Sequence, residues 1–153
     1  MANIKLARYR NTPYIVNFET NGGMKSYSWA GSKGKKFDVK EVPEEVVDWL
    51  TMNSVCFNDG ELAIVSETKQ AKELISNIDN VEEYENNTHS KEEAIKILES
   101  HTNSMKAELN KITNRDEKKF FIETAKEIEL DSNTKLTFLA EWFGVKKDIL
   151  FGE

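Results

Sequence analysis

The chain has 153 residues, 39% of them apolar and 31% charged, with a formal net charge of −6. Eight Phe, four Tyr and three Trp exclude a disordered polyelectrolyte, while the low apolar share implies a modest core under much solvated helix surface. No apolar run is long enough to span a membrane, no signal-peptide core opens the chain, and the single Cys56 excludes an internal disulfide, so first folding in a cytoplasm is expected.

Residues 3–9, NIKLARY, alternate as a strand with Ile4 and Leu6 inward. Thr12-Pro13 turns the chain into Tyr14–Phe18, a β-branched and aromatic second strand. Asn21-Gly22-Gly23 offers the positive-φ residues of a tight hairpin, so 24–30 pairs back as a third strand. Its alternation puts Tyr27 and Trp29 together, either facing the core or forming an exposed aromatic patch. Gly31-Ser-Lys-Gly-Lys-Lys36 departs from the spacing of a phosphate-binding loop and is followed by a strand-like 37–42, so it is expected to be a basic hairpin loop.

The densest apolar segment is 42–65. Pro43 with Glu44 and Glu45 opens a helix whose apolar face is Val46, Val47 and Leu50, with Trp49 as a further candidate. Asn58-Asp59-Gly60 breaks the chain, and 61–65 returns as a short strand. A helix over 67–78 carries Ala71, Leu74, Ile75 and Ile78 on one face. Residues 79–90 are polar and form the expected linker, although Val81 and Tyr84 could still dock on the first domain.

The remainder is helical. Ser90 with Glu93 forms a capping box ahead of Ala94, Ile95 and Leu98. Thr102 or Ser104 caps a helix bearing Met105, Leu109 and Ile112. Asn114 with Glu117 opens a third, striped by Phe120, Phe121, Ala125 and Ile128. Asp131 or Ser132 opens a fourth with Leu136, Leu139, Ala140 and Phe143, closed by Gly144. The expected fold is therefore α+β: a small antiparallel β-rich domain with one or two helices over 1–78, the linker 79–90, and a small helical bundle over 91–153.

The charge is unevenly distributed. Residues 1–40 carry eight basic against two acidic side chains, a balance of +6, and residues 41–153 carry −12. A basic head on an acidic body can bind acidic surfaces or the acidic half of a neighbouring copy; lysines guarding a sheet edge give the same count.

Groups that could do chemistry are few. Cys56 lies between Val55 and Phe57 with no basic neighbour to lower its pKa, so it is expected to be a buried hydrophobe. His89 and His101 lack metal-ligand spacing with each other or with Cys56, and are expected at the surface. No catalytic residue, cofactor or metal is assigned, and the chain is expected not to be an enzyme. Leu139-Ala-Glu-Trp-Phe-Gly144-Val145 with Leu150 has the spacing of a helix-turn-helix, with Lys146 and Lys147 as its cations. The acidic surroundings favour two packed helices joined by a glycine turn, and nucleic acid is not an expected partner.

Two blocks together carry a family resemblance. One comprises Tyr27-Ser-Trp29, Val39–Val42, the helix with Val46-Val47-Asp48-Trp49-Leu50, and Phe57-Asn-Asp-Gly-Glu-Leu62; the other is a helical C-terminal module reached through a polar linker. The chain resembles, mainly over 1–78, small proteins of tailed bacteriophages and prophages of Gram-positive bacteria encoded among the head and neck genes. The resemblance implies a virion component, a capsid decoration or head-completion protein with no catalytic residues to transfer, synthesised in the host cytoplasm. The expected partners are major capsid or neck subunits of the same virion, with self-association left open. The face expected to bind them is Arg8, Arg10, Lys33, Lys35 and Lys36 with Tyr27 or Trp29. A helix-turn-helix DNA-binding regulator and an intracellular phage inhibitor of a host protein are the alternatives.

Overall fold

The alternation of the first strand sets the architecture of the N-terminal unit. The computed structural model describes residues 3–20, 22–33 and 36–152. It divides into two compact units, 1–88 and 89–153, each with its own core. The chain as a whole is of the expected α+β class, strands and helices in the first unit and helices alone among the elements of the second.

In the first unit β1 (Asn3–Arg8) is the middle strand of a three-stranded antiparallel sheet, flanked by β4 (Asp38–Pro43) and the two-residue β5 (Ala63–Ile64). Its pairing with β4 sets Ile4 against Val42, Leu6 against Lys40 and Arg8 against Asp38. β2 (Tyr14–Thr20) and β3 (Gly23–Trp29) form a separate hairpin, with Tyr14 opposite Trp29 and Val16 opposite Tyr27. The expected strands are thus present, but in two sheets rather than one, because β1 pairs across long loops instead of with its chain neighbour.

Helix α1 (Glu44–Asn53) follows β4 directly and buries Val46, Val47 and Leu50 against the sheet core of Ile4, Leu6, Val42, Trp29 and Phe57. Trp29 is fully buried, and its indole N–H donates to the Leu6 carbonyl at 2.9 Å, so the one polar atom of a large core side chain is satisfied. Helix α2 (Lys69–Ser76), capped by Thr68 onto the Ala71 N–H, adds Ala71 and Leu74 to the same core.

The polar stretch after Ile78 is not an open linker. Residues Val81–Asn86 form a short helix, α3, that docks Tyr84 on the first unit. The Tyr84 ring meets Phe57 edge-on at 5.9 Å, and its hydroxyl accepts from the Ile64 N–H at 2.9 Å. Asn58 Nδ2 also donates to the carbonyls of Asp79 and Asn80, and Asn87 Nδ2 to the Asn58 carbonyl, so a segment of loop-like composition is held at several points. The division between the units falls after Thr88.

The second unit contains α4 (Lys91–Glu99), α5 (Thr102–Leu109), α6 (Arg115–Glu127), α7 (Asn133–Phe143) and the short α8 (Lys147–Phe151). The Ser90–Glu93 capping box is fully formed, and Ser132 caps α7 through the Lys135 N–H. For α5 the N-cap is His101, whose ring nitrogen accepts from the Asn103 N–H. Ala94, Leu98, Met105, Leu109, Phe120, Phe121, Leu139 and Ala140 make the core. At α6 the buried stripe takes in Ile122 and Thr124, while Ile128 is left half-buried at the C-cap. Gly144 closes α7 at φ +83, the left-handed cap its sequence implied.

Candidate interaction surface

The exposed strip of the first unit begins where β1 and β4 continue past their pairing. Extending the β1–β4 register by one step places Tyr9 opposite Phe37, and their rings meet edge-on with centroids 4.9 Å apart. Alternation puts Val39 on the same face of β4 as Phe37. Phe37 is 42% exposed and Val39 41% exposed, so an aromatic and a β-branched side chain stand in solvent beside one another. Just before them Lys33 and Lys36 exchange both backbone hydrogen bonds, at 2.9 and 3.0 Å, and form an isolated antiparallel bridge. Both lysines are exposed, so the bridged pair is a cationic knuckle beside the apolar strip.

The loop leading to the knuckle is held from behind. Ser32 donates its N–H to the Arg10 carbonyl at 2.8 Å and its hydroxyl to Asn11 Oδ1 at 2.7 Å. A side chain at Gly31 would put its Cβ 2.2 Å from the Asn11 carbonyl oxygen, so only glycine allows the two backbones to lie this close.

Of the residues expected to form a basic binding face, Lys33 and Lys36 are on the surface, and Lys35 lies outside the described residues. Arg8 and Arg10 are not on it: they are 3% and 4% exposed. Both guanidinium groups donate to one oxygen, Oε1 of Glu61, at 2.9 Å each. Arg8 also donates to the carbonyls of Thr12 and Glu61 and to the Thr12 hydroxyl, and its guanidinium lies 5.3 Å from the Tyr14 ring centre. Arg10 reaches the carbonyls of Asp59 and Asn87. The positive charge of these two arginines is therefore internal: it joins β1 and the residues just after it to the 57–61 turn and to the end of the unit at Asn87. Trp29 is likewise core, and Tyr27 is half-buried against it, which resolves the choice left open for that pair.

Glu61 and Gly60 are the residues that sequence reasoning missed. Gly60 sits at φ +76, and a Cβ there would lie 1.9 Å from the Asn87 carbonyl oxygen and 2.6 Å from Arg10 Nη2. The Asn58-Asp59-Gly60 turn signal marked the place, but nothing local indicated that two arginines about fifty residues earlier converge on it.

Elsewhere reactive groups are quenched by burial. Desolvation raises the Cys56 thiol from its ordinary 9.0 to about 11, and raises the neighbouring Tyr14 hydroxyl from 10.0 to about 12. His89, expected at the surface, is mostly buried in the second unit. Its Nδ1 lies 2.8 Å from Oε2 of Glu117, and its ring meets Phe121 edge-on at 5.0 Å. Among the described residues no three His, Cys, Asp or Glu side chains gather as a metal-binding group, and no helix is long and apolar enough to cross a membrane. The α7–Gly144–α8 turn is formed, but α8 has five residues, about 7.5 Å of helix. The two lysines at its start are divided as well, since Lys147 donates to Asn133 Oδ1.

Family comparison divides the chain much as the structure does. The family model described as the YonA N-terminal domain matches residues 2–80, and the one described as the YonA C-terminal domain matches residues 90–149. YonA is a phage-associated protein. Neither a curated protein nor a solved structure matches the chain.

Proposed function

We infer that this chain, which belongs to the YonA family through both of its units, is a virion structural protein of a tailed phage that decorates or completes the head by docking on capsid or neck subunits. The observation that supports docking is the knuckle, where exposed Lys33 and Lys36 flank the Tyr9–Phe37–Val39 strip. Lysines steer an acidic partner towards the site, and an aromatic beside an aliphatic side chain supplies area that gains from leaving water. The Arg8–Glu61–Arg10 cluster supports the site without touching the partner, by fixing the strand that continues into it. In this reading the protein acts by binding alone, and the bundle carries no catalytic step.

The test is co-sedimentation with undecorated capsids at low salt. Wild-type protein is expected to pellet with capsids, and raised salt is expected to weaken the association through screening. Lys33→Glu/Lys36→Glu is expected to weaken it at least tenfold, as is Phe37→Ala, while both variants keep the wild-type circular dichroism. Wild-type protein that stays in the supernatant, or a double charge reversal that binds as before, overturns the reading.

A further inference from the structure

The last turn of α1 opens on a groove in the first unit, about 770 Å³ in volume, with Met52, Val55, Asn58, Asp79, Asn80 and Glu83 along it. Met52 and Val55 are 72% and 63% exposed, so the groove holds two large apolar side chains in water. Its shape is fixed from within: Asn58 Nδ2 donates to the carbonyls of Asp79 and Asn80, at 2.6 and 3.3 Å, and ties the turn after α1 to the one before α3. Its charge is of one sign. Asp79 and Glu83 line it, α1 has no basic residue in its last turn, and no basic residue among the described residues lines it. The carbonyls of Thr51, Met52 and Asn53 accept no hydrogen bond among the described residues, and they carry the negative end of the α1 dipole at the same groove.

We propose that this groove receives the Lys33–Lys36 knuckle of a second copy of the chain. The knuckle presents what the groove lacks, two exposed lysines beside the exposed Phe37 and Val39. A lysine seated at the end of α1 meets Asp79, Glu83 and the open carbonyls together. The Phe37 ring and Val39 cover Met52 and Val55, where a thioether against a ring adds to the area removed from water. An acidic segment is repelled from this groove, and a purely apolar one strands carboxylates and carbonyls away from water. The occupant must therefore carry cations and apolar side chains side by side. Each copy offers both surfaces, and the two differ, so copies join by reciprocal exchange or in succession. The knuckle is also the surface assigned to the capsid, so at any one knuckle the two partners exclude each other, whereas the groove serves self-docking alone.

Sedimentation equilibrium of the pure chain at low salt, with no capsid present, is expected to show the mass rising from 17.6 kDa with concentration and falling back as salt is raised. Asp79→Lys/Glu83→Lys is expected to weaken the association about tenfold or more while leaving capsid co-sedimentation intact, whereas Lys33→Glu/Lys36→Glu loses both. Mixed together, the two variants are expected to regain a complex, because the lysine knuckle of the first meets the acidic groove of the second. Misfolded variants cannot give that rescue. The wild type supplies a measurement of its own. Docking covers Met52, so its oxidation by dilute peroxide, read by peptide mass spectrometry, is expected to slow with rising concentration relative to that of Met24, which is 62% exposed and outside the groove. A wild type that remains at 17.6 kDa up to about 1 mM, a groove variant that associates as the wild type does, a mixture that stays monomeric, or Met52 and Met24 oxidising in one ratio at every concentration overturns the proposal.

Discussion

Replacing Glu61 with Ala removes one carboxylate from between two buried guanidinium groups, and the geometry sets the size of the effect. Oε1 accepts from Arg8 and Arg10 at 2.9 Å each, and neither arginine has more than a few per cent of its surface in water. Breaking a buried ion pair typically costs about 3–5 kcal/mol, because the remaining charge stays desolvated without its partner. Two features lower that figure here. The Glu61 side chain is 24% exposed, so water can reach the vacated position. Each arginine also keeps carbonyl acceptors, Thr12 and Glu61 for Arg8 and Asp59 and Asn87 for Arg10. A loss of about 2–4 kcal/mol is therefore expected, equivalent to a fall in Tm of the first unit by about 10–20 °C. Urea and thermal unfolding followed by circular dichroism measure it. Hydrogen exchange should place the lost protection in β1, the 57–61 turn and the chain near Asn87. Glu61→Gln, which keeps an acceptor but not the charge, should fall between wild type and Ala. A change below about 0.5 kcal/mol in Glu61→Ala would show that the cluster is a bystander.

Gly60→Ala should be worse than an ordinary surface glycine substitution. The residue must hold φ +76 while its new methyl lies 1.9 Å from the Asn87 carbonyl oxygen, so a loss of about 3 kcal/mol or more in chemical denaturation is expected. Stability should also fall on the alkaline side. The Cys56 thiol is raised to about 11 in the fold from an ordinary 9.0, so between those values the unfolded chain releases a proton that the folded chain keeps. The contribution is intact below pH 9.0 and lost as pH approaches 11, and Cys56→Ser should flatten that part of a stability-pH curve. Tyr14 adds to the same slope between 10.0 and about 12. In the second unit Glu117→Ala removes the partner of His89 from a site where Glu117 is 1% exposed, and a loss of about 2–3 kcal/mol is expected in urea unfolding.

What could be read from the sequence was what is decided locally. Strand alternation in 3–8, the glycine hairpin at 22–23, the Ser90–Glu93 box and the Gly144 cap each depend on residues within a few positions of one another, and each is present. Partner choice between strands is not local. β1 bypasses β2 to pair with β4 and β5, and no residue in β1 signals that. The same reason explains the arginines. Counting charges along 1–40 assumes that they face solvent, whereas the acceptor for Arg8 is 53 positions away in Glu61. Helix α3 was hidden for a different reason: at six residues it is too short to show a periodic stripe, and only Tyr84 and half-buried Val81 mark its inward side. The apolar strip was hidden because Phe37 and Val39 alternate as core residues do, and only the edge position of β4 leaves them in solvent.

If this chain is part of the particle, mass spectrometry of purified virions detects it there. Many copies per particle, retained through density-gradient purification and removed when Lys33 and Lys36 are both reversed to Glu, is the expected result. A chain abundant in infected cells but absent from purified virions would contradict the account.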